Sequence, residues 1–95
     1  MKRILTGLAL TTVLALPAQA ACYADYKAKR DGPLRLHYGV VKVSNGACSS
    51  PDKARKEVQK KLKSEGWKLL TVISTFDDSG LDRRRSDAGQ YFLRY

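Results

Sequence analysis

Few residues in this 95-residue chain have side chains and spacing suited to chemistry, and most of them are cysteines, acids and cations. Cys22 and Cys48 are the only cysteines, and they could serve as a redox pair, as metal ligands or as a structural disulfide. No C-x-x-C is present, and two distant cysteines with a single histidine, His37, make a poor zinc set. A disulfide closing a loop of about 27 residues would stabilise a small domain by roughly 3 kcal/mol, so a structural staple is the expectation. His37 could act as a general base only beside a nucleophile or a second acid, and no motif places one. Asp77, Asp78, Ser79, Gly80 and Asp82 loosely resemble a calcium loop. A distal Glu is missing there, and Arg83 to Arg85 would repel a cation. No Gly-rich phosphate loop, nucleophile elbow or zinc helix occurs. The expectation is therefore no catalytic, metal or cofactor residue and no enzyme; a small secreted nuclease is the alternative from another class.

The cations are more numerous. The chain carries 18 Lys plus Arg against nine Asp plus Glu, for a formal net charge of +9. Lys53, Lys56, Lys60 and Lys63 would share one helical face, and Arg83, Arg84 and Arg85 would cluster on a loop. These seven are the candidate anion-docking residues. As a solvated face they would only keep the protein soluble, with Glu57 and Lys61 an ordinary supporting pair. As a docking surface they would hold lipopolysaccharide, an extracellular nucleic acid or another anionic envelope polymer, with steep salt dependence. Tyr91, Phe92 and Tyr95 near Arg94 could stack on single-stranded nucleic acid, although alternating aromatics on a last strand more often build a core.

The elements that would position these groups begin after a leader. Met1-Lys2-Arg3 is a positive start, and Ile4 to Leu16 are 13 residues without a charge. Pro17 and then Ala18-Gln19-Ala20 complete the pattern of a secretory signal peptide over residues 1–20. A membrane span would need about 20 apolar residues, so no stable span is expected after cleavage. Cys22 lies near the cut, but Gln19 stands where lipoprotein processing favours an aliphatic residue. Cleavage would leave 16 basic against nine acidic residues, in a periplasmic or secreted protein where disulfides persist. What remains suffices for one domain, burying roughly 60–65% of its unfolded surface.

Residues 21–33 show weak periodicity and read as an irregular lead-in tied by the disulfide, with a turn at Asp31-Gly32-Pro33. The domain proper is expected over residues 34–95. Leu34 to Val43 alternate as a strand, with Leu34, Leu36, Tyr38 and Val40 on one face. Ser50 as N-cap, Pro51 at the first position and Asp52 in the first turn open a helix. Ala54, Val58 and Leu62 give it a buried stripe, and Gly66 a left-handed stop. Trp67 to Phe76 form the strongest strand, apolar on both faces. Asp77 to Gly89 read as a loop and Gln90 to Tyr95 as a last strand, expected in the middle of the sheet. The fold expected is α+β: a two-layer β-α-β-β sandwich, with one helix on one face of a three-stranded, mostly antiparallel sheet.

The run Glu65-Gly66-Trp67-Lys68-Leu69-Leu70 and the ending Phe92-Leu93-Arg94-Tyr95 resemble a widespread bacterial family of small domains of unknown function. Its members have a strand, a helix ending in Glu-Gly-Trp, a strand and a terminal strand. Cys22-Tyr23-Ala24-Asp25-Tyr26 and Pro33 to Gly39 also look similar to uncharacterised exported proteins of alphaproteobacteria. A looser likeness is to small periplasmic stress-response proteins with the same strand order. The resemblance implies the fold and carries no catalytic residue. The functional expectation is a small, basic, non-enzymatic periplasmic or secreted interaction or structural module, with a homodimer through the exposed sheet face among its forms. The alternative is a cationic polyanion-binding envelope protein.

Overall fold

The computed structural model describes residues 21–95, so the leader expected over residues 1–20 lies outside the described residues. Three strands, β1 (Cys22–Arg30), β2 (Arg35–Val43) and β3 (Lys68–Phe76), form one antiparallel sheet in the order β2-β1-β3. Helix α1 (Pro51–Lys63) connects β2 to β3 across β1, and a short helix α2 (Asp82–Ala88) lies on the opposite face. The expected class, α+β with a helix on one face of a three-stranded antiparallel sheet, is the class the chain has, and α2 adds a second helix on the face expected to be bare.

The strand order differs from expectation in one instructive way. Strands β2 and β3, joined through α1, flank an antiparallel neighbour; the chain fills that slot with Cys22–Arg30 rather than with its C-terminus. The segment expected as an irregular lead-in is thus the central strand. Its alternation is complete: Cys22, Ala24, Tyr26 and Ala28 face α1, and Tyr23, Asp25, Lys27 and Lys29 face away. Ala, Asp and Lys are poor strand formers, which masks the alternation, yet small Ala24 and Ala28 suit a strand lying directly beneath a helix.

The C-terminal residues do not form the expected strand. After a single 3₁₀ turn (Gly89–Tyr91) they touch β2 at one parallel bridge, Val40 to Phe92, where Leu93 N–H donates to Val40 C=O at 2.8 Å. Leu93 has φ 59°, a left-handed conformation that breaks any ladder at that point. The segment expected as a plain loop holds a 3₁₀ turn (Asp78–Gly80) and α2, which is too short to show a helical period in the sequence.

Helix α1 has the expected ends. Ser50 Oγ accepts from Lys53 N–H at 3.3 Å, and Pro51 occupies the first turn. Gly66, at φ 80°, closes the other end: its N–H donates to Lys63 C=O, and Trp67 N–H donates to Leu62 C=O. Ala54, Val58 and Leu62 are buried against Cys22, Ala24, Tyr26, Ala28, Val41, Val43 and Trp67. The disulfide Cys22–Cys48 is formed, with Cα atoms 5.9 Å apart, and ties the start of β1 to the turn that leads into α1. Strand β3 is bulged twice against β1, between Asp25 and Tyr26 and between Lys27 and Ala28; Ile73 and Leu70 are the extra residues. The bulges interrupt the strict alternation expected of Trp67 to Phe76, so Leu69 and Val72 pack into the α1 core while Phe76 packs on the other side.

Candidate functional site

The side chains with chemical potential fall into four groups. His37 lies in the α1 layer, opposite Ala28 on β1, and is 9% exposed. Its Nε2 is 2.9 Å from the Tyr26 hydroxyl, its ring stacks on Tyr91 at 3.7 Å, and Trp67 meets it edge-on at 4.2 Å. Nδ1 is buried without a partner. Burial and the nearby Arg30 charge push the imidazole down to about 4, so it is neutral at pH 7. Tyr26 is fully buried, and burial raises its hydroxyl above the ordinary value. Gly39 pairs with Tyr26 across the strands, and a Cβ there would stand 2.5 Å from the Tyr26 oxygen. A side chain at position 39 would therefore push Tyr26 off His37. The cluster is an aromatic core with a neutral imidazole in it, closed on the outside by Arg30 at 4.0 Å over the Trp67 ring.

On the other face, Asp25 is 4% exposed. It accepts hydrogen bonds from Ser74 Oγ (2.6 Å), Tyr38 Oη (2.8 Å) and Arg84 Nε (3.1 Å). Burial pulls this carboxyl up, but the three donors and the Arg84 charge outweigh it and hold it below the usual value. Burial, followed by the same bond to Asp25, pushes the Tyr38 hydroxyl up to about 12. Arg84 also donates to Gly80 C=O at 2.8 Å and lies 3.9 Å over the Phe76 ring. It is the pin that holds α2 to the sheet.

The seven candidate anion-docking residues do not make one surface. Lys53, Lys56, Lys60 and Lys63 are exposed on α1. At 3.6 residues per turn they fall within an arc of about 80° opposite the buried stripe, as a ridge about 15 Å long. Arg83, Arg84 and Arg85 are on the far side of the sheet. Arg84 is spent on Asp25, and Arg85 pairs with Asp82 at 3.6 Å while lying 4.4 Å over Phe92. Arg83 is exposed. Among the described residues, no three His, Cys, Asp or Glu side chains converge as metal ligands would.

The fourth group lies on the exposed sheet face, at residues the sequence does not single out as a site. Helix α2 covers only the half of its face around Tyr23, Val40 and Phe76. The other half, near the β1–β2 turn, is bare. There Leu34 is 63% exposed, Leu36 65% and Leu70 49%. Leu36, Tyr38, Lys27 and Leu70 wall a shallow depression of about 270 Å³, with Ala28 and His37 contributing from the strands beneath. Lys29 pairs with Lys68 across β1 and β3 at the rim, and Lys27 and Lys68 are exposed. The alternation of Leu34, Leu36, Tyr38 and Val40 was the sequence signal; what it could not convey is that the α2 layer buries Val40, half-covers Tyr38 and leaves Leu34 and Leu36 bare. A second groove, about 380 Å³, runs between Pro51–Arg55 of α1 and Leu70–Thr75 of β3. The two bulges of β3 make that edge a poor template for another strand.

No protein-family model, no curated protein and no solved structure matches this chain.

Proposed function

We propose that this chain is an exported, disulfide-stapled, non-enzymatic interaction module that docks through the bare half of its sheet. The observation that carries the reading is the pair Leu34 and Leu36, about two-thirds exposed at the start of a strand whose Val40, Val41 and Val43 are buried. Export to the periplasm or beyond is supported by the leader pattern of residues 1–20 and by the formed Cys22–Cys48 bond. Among the described residues no helix is long and apolar enough to cross a membrane. A non-enzymatic role is supported by the placement of His37, which is enclosed by Tyr26, Trp67 and Tyr91 rather than facing a cavity with a nucleophile. Capture from envelope extract, comparing the unaltered chain with Leu36→Asp at low and high salt, tests the reading. Material held by the unaltered chain and released by the variant is the expected result. Equal retention by both would remove the sheet face from the function.

A second reading rests on a separate observation: the α1 ridge presents four exposed amines within one arc, with no carboxylate inside it. It makes the chain a polyanion binder. Duplex DNA as a generic polyanion should then bind with an affinity that falls steeply with salt, and Lys56→Glu/Lys60→Glu should weaken it. Unchanged binding in that double variant would return the ridge to a solubilising role.

A further inference from the structure

We propose that the bare half of the sheet seats this protein on the surface of an anionic phospholipid membrane; this rests on the docking reading above and names its partner. Leu34, Leu36 and Leu70 project where the β1–β2 turn and the first bulge of β3 meet, and Tyr38 stands between them and the covered half. Lys27 and Lys68 rise from the same face beside the leucines. The carboxylates nearby are largely neutralised: Asp25 lies beneath α2 against Arg84, and Asp31 pairs with Lys29 at 3.4 Å. Asp87 on α2 is the remaining acid that bears on Tyr38.

Apolar side chains ringed by amines match the boundary between acyl chains and phosphate head groups. Leucines enter the hydrocarbon margin while lysines stay with the phosphates. The charge also argues against a second copy as occupant. Two such faces packed together would oppose Lys27 and Lys68 with their own counterparts in a partly dry interface. A standard protein interface takes ~20–30 residues a side, more than this half-face supplies. Reversible lipid contact needs only a few apolar residues backed by cations.

The test uses the full chain, produced with its own N-terminal segment and purified as the cell leaves it, in sedimentation with vesicles. One set is phosphatidylglycerol mixed with phosphatidylcholine, and the other is phosphatidylcholine alone. Partition onto the anionic vesicles should exceed partition onto the neutral ones. It should weaken several-fold between about 50 mM and 500 mM salt, as screening shortens the reach of the lysines. Leu36→Asp/Leu70→Asp should lower it tenfold or more, and Lys27→Glu about fivefold. All three positions are exposed, so unchanged melting curves are expected. Equal binding to neutral vesicles would overturn the proposal. So would full binding by the leucine variant, because the apolar N-terminal segment would then be the anchor. If neither vesicle binds but a photo-crosslinker at position 36 joins one defined acidic protein, the lipid partner falls and the docking reading stands. If it joins nothing, both fall. A dimer in ultracentrifugation that Leu36→Asp dissolves would also overturn the lipid proposal.

Discussion

Acidification should destabilise this domain through one residue, in a pH window that other groups leave clear. His37 is held neutral by its burial and by Arg30, down to about 4, while in the unfolded chain it takes up a proton near 6.5. A depressed folded value means that the unfolded state binds the extra proton first. The stabilisation is therefore complete above pH 6.5, declines as pH falls towards 4, and is gone below that. The full difference is worth about 3 kcal/mol, and nearly 2 kcal/mol of it should be lost between pH 7 and pH 5. Asp25, Glu57 and Asp77, carboxylates with folded-state hydrogen bonds to lose, are all held below their ordinary values and stay ionised across that window. Because His37 is the only histidine, its ring-proton resonance is unambiguous, and an NMR titration reads the value directly. Urea unfolding at pH 7, 6 and 5 reads the energy, with His37→Phe as the control whose stability should be flat over the same range. A midpoint near 6.5, or an unchanged slope in His37→Phe, would refute the reasoning.

Removing Arg84 should be costly, because Arg84→Met leaves the Asp25 carboxylate buried with its cation gone; about 3 kcal/mol of stability should disappear in urea unfolding, and Asp25→Asn in the same chain should restore part of it. Gly39→Ala should cost about 2 kcal/mol, since the new methyl occupies space held by the Tyr26 hydroxyl, and the His37 midpoint should shift upward as its hydrogen bond is lost. Reduction of Cys22–Cys48 should lower stability by about 3 kcal/mol, measured as paired unfolding curves with and without reductant, after intact mass confirms the gain of two hydrogens.

The parts of this fold that were legible in the sequence are those whose signals are local. Helix α1 could be read end to end because Ser50, Pro51 and Gly66 act within one turn of their own positions. The disulfide followed from there being two cysteines and no competing ligand set. The central strand was obscured because Ala24, Asp25 and Ala28 gain their strand conformation from neighbours, with α1 above and Arg84 below, and not from their own preferences. The same holds for α2: seven residues would be marginal alone, and Arg84 and Ala88 fix them through contacts made more than 40 residues back along the chain. Arg84 was read with Arg83 and Arg85 as a solvent-facing cluster, since its acidic partner is 59 positions away. Leu36, Tyr38 and Val40 share one face of β2 as their alternation implies, but Leu34 lies in the turn before it, and exposure depends on how far α2 extends, which periodicity does not encode.

The position of the disulfide also bears on how the sheet is completed. Strand β3 must find β1 from a distance, since Tyr23 pairs with Phe76 about 50 residues later. Once Cys22 is bonded to Cys48, the path from the start of β1 to Phe76 runs through the sulfur bridge and then only 28 residues. Halving a loop lowers its closure cost by about 0.6 kcal/mol, roughly a threefold gain in the rate of a closure-limited step. Both cysteines precede β3 in the chain, so the bond can form on the hairpin and its following turn before the last strand arrives. Oxidation is in that sense a timing device: it shortens the search of the segment that has farthest to travel.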